Sequence, residues 1–217
     1  PLQNPDSTYL GAAQWKWLEA ELQKPADVRL IGSGSQFGIE YNGYEGWANF
    51  PLEQKRFLNL IKKTRANGVL FLTGDVHYGE ISKLTEPGLY PIYDFTSSGL
   101  SSTWHFATPN KNRIEGPIME NHFSLLTIDW KKKIPQIKME IWDVNDNQRA
   151  EEIDGKTPTN ALLFGTPAKL LDGSQTEEQF YSFLDTGYAR RCLFGFGQHD
   201  RKAFHSMTAT EIYLIGR

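Results

Sequence analysis

Gly68-Val69-Leu70-Phe71-Leu72-Thr73 runs without interruption into Gly74-Asp75-Val76-His77-Tyr78-Gly79-Glu80. Six nearly continuous apolar residues predict a strand with both faces buried, as in an α/β sheet. Directly after it, a carboxylate and an imidazole stand two residues apart. At the carboxyl end of a sheet strand both can lean toward the crevice where α/β proteins hold ligands. Imidazole and carboxylate suit iron, manganese or zinc, and carboxylate also suits calcium. Gly74 lets the backbone come close to such a ligand. The plain alternative is that Asp75 caps a turn and His77 is a surface residue; on spacing alone both readings stay open.

Upstream, Gly11 to Leu22 places Trp15, Leu18 and Leu22 on one face, which predicts a helix, with Ser7 or Thr8 as caps and Pro25 after its end. Val28 to Gly32 predicts a short strand entering a Gly/Ser loop, and Phe37 to Asn49 an aperiodic loop. Pro51 to Ala66 predicts a second helix, with Pro51 in its first turn and Phe57, Leu58 and Ile61 as the apolar stripe. Downstream, strands are expected at 92–95, 123–129 and 136–142, the last two joined as a hairpin across Lys131-Lys132-Lys133. Two helix–strand units and a hairpin give an α/β layered sandwich, a mixed sheet flanked by helices.

After Arg149 the character changes. Glu151 to Pro158 reads as a polar linker, Thr176 to Leu184 as a helix with Thr176 and Gln179 in a capping box, and Ile212 to Ile215 as a final strand. This divides the chain into residues 1–149 and an α+β appendage at 150–217, either a C-terminal extension packed on the sandwich or a separate module.

Composition narrows the function classes. Hydrophobic residues at 39% and charged residues at 23% are an ordinary globular balance. A net charge of -3 argues against general nucleic-acid binding, including by Arg190 and Arg191 beside their aromatic neighbours. No apolar run reaches membrane-spanning length. The single cysteine, Cys192, excludes an intramolecular disulfide and reads as a buried small hydrophobe. Gly32 to Ser35 lacks the following lysine of a P-loop, and Ser97-Ser98-Gly99 has no accompanying triad. His105 and His122 read as hydrogen-bonded structural histidines.

Several blocks, in order, resemble the PhoD-like metallophosphatases over about residues 1–146. Leu10 to Leu18 resembles the family's LG-x-x-Q-x-x-WL helix, and Glu45 to Pro51 its E-x-W-x-x-F-P loop. Gly68 to Glu80 is similar to its G-V-V-F-L-S-G-D-x-H-x-x-E segment, and Asp94 to Leu100 to E-x-T-S-S-G-L, with Asp94 in place of Glu. Asn121-His122-Phe123 and the hairpin to 146 fit the closing β segment. The resemblance implies a metallophosphoesterase sandwich with a two- or three-metal centre, iron and calcium, that hydrolyses phosphate mono- or diesters. It implies Asp75 and His77 as metal ligands and catalytic residues, with Glu80 orienting His77. Glu45 and Trp47 would line the substrate entrance, Trp47 reading equally as a packing anchor, and Ser97 and Ser98 would shape the pocket floor.

The family's other ligands lie on upstream Asp/Asn-rich segments that nothing here matches, and the chain opens without Met on Pro1-Leu2-Gln3, which reads as an interior loop. The expectation is a partial domain with weak or absent activity alone; the alternative is a non-catalytic fragment or fusion that acts as a binding module. Family members are often secreted or periplasmic, yet no signal peptide is visible, so the compartment stays open, as does the oligomeric state.

Overall fold

A computed structural model describes residues 7–41, 43–145, 147–153, 160–164 and 210–215. The elements run α1 (Gly11–Leu22), β1 (Val28–Ser33), a short 3-10 turn (Trp47–Asn49), α2 (Pro51–Thr64), β2 (Val69–Thr73), β3 (Gly79–Leu84), β4 (Ile92–Ser97), β5 (Arg113–Ile118), β6 (His122–Asp129), β7 (Gln136–Asp143), β8 (Gln148–Ile153), β9 (Asn160–Phe164) and β10 (Thr210–Ile215). They form a six-stranded mixed sheet in the order β10-β1-β2-β4-β3-β5 and a four-stranded sheet in the order β8-β7-β6-β9. In the first, β10, β1, β2 and β4 are parallel and β3 is antiparallel to both its neighbours. The second is wholly antiparallel. The α/β class with a mixed sheet and few helices is therefore as expected.

Alternation along the strands sorts the core into two layers. From β2, Val69 and Phe71 join the cluster that holds Trp15, Leu18 and Leu22 of α1 and Phe57, Leu58 and Ile61 of α2. Leu70, facing the other way, joins Leu126, Ile128, Met139 and Ile141 of the four-stranded sheet. Phe37 stacks on Phe71 with centroids 3.8 Å apart, and Trp47 and Phe57 pack edge-on around Phe37. This aromatic centre glues helices, sheet and the 34–50 loop together.

Local chemistry explains the helix ends. Pro51 opens α2, and Arg65, in the left-handed region at φ 55°, closes it by donating its N–H to Ile61 and Lys62 carbonyls. Thr8 contributes as expected, although the residue at the helix boundary is Leu10. The Thr8 hydroxyl accepts from the Gly11 N–H at 2.8 Å and donates to Glu53 at 2.7 Å. Glu53 also receives the Trp15 indole N–H at 2.5 Å, so one buried carboxylate ties α1 to α2.

Three strands were not foreseen, β3, β5 and β9, and the polar segment after Arg149 begins as strand β8 rather than linker. Asp143 makes the turn into β8: its carboxylate accepts from the Asn145 and Asn147 N–H groups at 2.8 and 3.1 Å and from Arg149 at 3.1 Å. β9 and β10, also from beyond residue 149, pair with β6 and β1. β10 contains the expected strand at 212–215. The helix expected at 176–184, the Gly/Phe-rich 193–197 stretch, Arg190, Arg191 and Cys192 lie outside the described residues. Among the described residues no helix is long and apolar enough to cross a membrane.

Candidate metal and phosphate site

Beyond Phe71, the helix-facing side of the sheet changes from apolar to polar. Thr73 of β2, Asp94 and Thr96 of β4, and Glu80 and Ser82 of β3 share that side: Thr73 pairs with Thr96, Glu80 with Thr96 and Ser82 with Asp94. All five are buried, so every donor and acceptor there needs a partner. The 36–38 loop supplies most of them. The Phe37 and Gly38 N–H groups donate to the Asp94 carboxylate at 2.7 and 2.6 Å, and Thr73 donates to its other oxygen at 2.5 Å. Gln36 donates to Glu80 at 2.7 Å and to Thr96 at 3.1 Å. Asn110 bridges Glu80 and Ser82 at 2.9 and 2.8 Å, and the Arg113 guanidinium closes on the second Glu80 oxygen in a short ion pair.

Glycine at position 38 is required by close approach. A Cβ there would lie 2.9 Å from the Asp94 Cβ and from a Leu84 methyl. Complete burial pushes the Asp94 carboxyl up to about 6 despite its donors, with the nearby Glu80 charge adding to the rise.

On this lattice sits the 74–78 turn. Asp75 and His77 both occupy the left-handed region, at φ 77° and 58°, a conformation that costs a non-glycine residue on the order of 1 kcal/mol and clusters at functional sites. Asp75 is exposed and His77 half-buried. Partial burial raises the Asp75 carboxyl above its ordinary range, the Glu45 carboxylate raises it further, and His77 pulls it back. Glu45, from the 43–49 loop, therefore shares the field of the Asp75–His77 turn. The Trp104 backbone N–H holds the turn by donating to the His77 carbonyl at 3.1 Å, and the two rings lie parallel, 4° apart in orientation, with centroids 6.4 Å apart. The His77 Nδ1 is buried without a hydrogen-bond partner.

Of the other residues singled out in the sequence, Glu45 is exposed beside Asp75, whereas Trp47 is fully buried in the aromatic centre and donates its indole N–H to Ser33 at 3.0 Å. Ser97 and Ser98 are buried behind the turn, Ser98 donating to the Tyr78 carbonyl at 3.2 Å. Glu80 gives its oxygens to Gln36, Asn110 and Arg113. A Cβ on Gly74 would meet only an ordinary contact, 3.5 Å from the Ser98 Cβ.

His122 is built in as structure. It is fully buried, its Nδ1 reaches the Glu120 carbonyl at 2.8 Å, and its Nε2 accepts from the Gly99 N–H at 3.2 Å. Burial lowers its pKa and favours the neutral ring. His105 is exposed.

The donor chemistry fits part of a metal centre. An orphaned buried imidazole nitrogen and two carboxylates that repel one another are both conditions that a cation relieves. Among the described residues, no group of three or more His, Cys, Asp or Glu side chains is gathered tightly enough to hold a metal ion. Sequence reasoning did not reach Gln36, Asn110, Arg113 or Trp104. The last was readable only as an aromatic cluster, Trp104-His105-Phe106, in a segment without apolar period.

Fold and turn together define an α/β protein with an acid–imidazole pair presented at the carboxyl end of a sheet strand. A family model described as PhoD-like phosphatase matches residues 1–140. The chain belongs to the PhoD-like phosphatase family. Alkaline phosphatase D of Bacillus subtilis (strain 168) is 30% identical over 91 residues, covering 38% of this chain and 16% of that protein. The solved structure of PhoD aligns over 87% of this chain and 42% of its own, at 17% identity and a TM-score of 0.46. The chain thus spans less than half the length of these relatives.

Proposed function

We propose that this chain contributes Asp75 and His77 to a metal centre that hydrolyses phosphate mono- or diesters, with iron and calcium as the metals and manganese or zinc as substitutes. The observation that carries the proposal is the buried, unpartnered His77 Nδ1 in a turn held at positive φ beside two carboxylates. When bound, the metals supply neutralisation of the ester oxygens and an acidified water for in-line attack. The chain's own part is positioning. Strand β2 brings the turn to the carboxyl end of the sheet, the Trp104 backbone N–H pins the His77 carbonyl, and Glu45 adds negative charge beside Asp75. Ser97 and Ser98 shape the floor under the turn and Trp47 braces the loop that carries Glu45; Glu80 acts through the lattice beneath.

Residues 1–149 are proposed as the phosphatase domain, a partial sandwich of the metallophosphoesterase type. Residues 150–217 are proposed as an extension, a reading supported by the pairing of β9 and β10 with its two sheets. A second reading, a binding module without turnover, is favoured by the lack of a three-ligand group among the described residues; phosphoryl transfer needs more positive charge than one carboxylate–imidazole pair organises.

Hydrolysis of bis-p-nitrophenyl phosphate and p-nitrophenyl phosphate by the purified chain, with iron, manganese and calcium added and His77→Ala as control, separates the two. Metal-dependent turnover lost in the control supports the enzyme. Metal and phosphate bound through His77 without turnover supports the binding module.

A further inference from the structure

Next to the turn, two loops distant in sequence bring together rings that a soluble surface ordinarily hides. Tyr44 and Phe106 are 60% and 57% exposed. Each packs on Trp104: Tyr44 with centroids 5.4 Å apart at 82°, Phe106 with centroids 5.1 Å apart at 61°. Trp104 in turn lies parallel to His77. Tyr44 immediately precedes Glu45, the carboxylate that acts on Asp75. Exposed aromatic rings gathered in mutual contact mark a binding surface, and this one adjoins the acid–imidazole turn.

We propose that Tyr44, Trp104 and Phe106 form a specificity platform that stacks the planar ring of an aryl or nucleoside ester whose phosphoryl group lies at Asp75 and His77. The inference rests on the phosphoester reading of that turn and adds the substrate class to it. The arrangement fits a flat π system: two rings stand steeply against Trp104, and the Trp104 backbone is anchored beside the turn by its N–H on the His77 carbonyl. Rigid aromatic side chains give stacking area at small entropic cost and read a ring face without hydrogen bonds. An ester of a small aliphatic alcohol offers the same phosphate and nothing for the platform.

The test is calorimetric titration of the full chain, with manganese present, by phenyl phosphate, glycerol 3-phosphate and inorganic phosphate. Phenyl phosphate is expected to bind roughly tenfold more tightly than glycerol 3-phosphate, the scale of one ring stack. Trp104→Ala is expected to bring the two to parity, and Trp104→Phe to restore most of the preference. Tyr44→Ala and Phe106→Ala, at exposed positions, are expected to narrow the ratio should Trp104→Ala fail to fold. Equal binding of the two esters by the unmodified chain, or a preference untouched by all three alanine variants, overturns the platform. Inorganic phosphate binding and hydrolysis without ring preference refutes the platform and leaves the phosphatase reading intact. Ring preference with neither metal dependence nor hydrolysis supports the platform and refutes that reading.

Discussion

The same residue types do opposite work in two regions of this molecule. His122 and Asp94 lie inside the fold with their polar atoms satisfied, His122 by a carbonyl and an N–H, Asp94 by two N–H groups and a hydroxyl. His77 and Asp75 sit on the turn above, both at positive φ, one with a buried nitrogen left unpaired, the other exposed beside a second carboxylate. Chemistry-bearing residues become structural when the fold supplies their partners. They remain available to a ligand when the fold positions them and withholds those partners. Strain and an unmet hydrogen bond are tolerated at the turn because the lattice below fixes it.

That contrast breaks most sharply where the lattice is cut. Arg113→Ala leaves the fully buried Glu80 without its cation, and a loss of about 4 kcal/mol of unfolding free energy is expected in a urea titration, since an uncompensated buried charge remains. A loss below about 1 kcal/mol would mean that Gln36 and Asn110 alone suffice for Glu80. Gly99→Ala is next. A Cβ at that position would meet the His122 ring at 2.2 Å, and overpacking of a seated ring is expected to remove about 3 kcal/mol, read from the same titration.

Asp94→Asn is expected to remove about 2 kcal/mol at neutral pH, because one face of the amide must present N–H groups to N–H or O–H donors. Its pH signature is more diagnostic. The folded chain holds the Asp94 proton up to about pH 6, while the unfolded chain releases it near its ordinary value of 3.8. The folded state thus binds more protons in that window, so the contribution of this group is present below it and lost as pH rises through it. The asparagine variant should show a flatter pH dependence between those limits. An unchanged profile would mean that Asp94 does not titrate there.

At the turn, the smallest effect on stability is expected. His77→Asn, which tolerates the left-handed conformation, should change unfolding free energy by no more than about 0.5 kcal/mol. Metal binding should nevertheless fall. A large destabilisation would make His77 a structural residue like His122.

Legibility in the sequence follows the same division. The apolar strand 69–73, both helices and the β6–β7 hairpin were readable because their periodicity is hydrophobic. Strand β3 was not, because Glu80 and Ser82 face a buried polar lattice while Ile81 faces the apolar layer, so the alternation mimics a surface segment. Strand β8 was mistaken for linker because its polarity hid a turn that Asp143 organises locally. The turn residues Asp75 and His77 stood out through their position after a strand. What surrounds them did not: Asn110, Arg113 and Trp104 arrive from an aperiodic segment whose path only tertiary structure fixes. Trp47, readable equally as pocket wall or packing anchor, is fully buried.

The most direct test of the central claim distinguishes the two kinds of histidine. Proton NMR of the imidazole resonances of the full chain, assigned by substitution and titrated with substoichiometric manganese, reports proximity of the paramagnetic ion to each ring. The account predicts strong broadening of the His77 signal at manganese levels that leave His122 less affected, with the effect abolished in Asp75→Asn. Broadening that spares His77, or that persists unchanged without the Asp75 carboxylate, would contradict it.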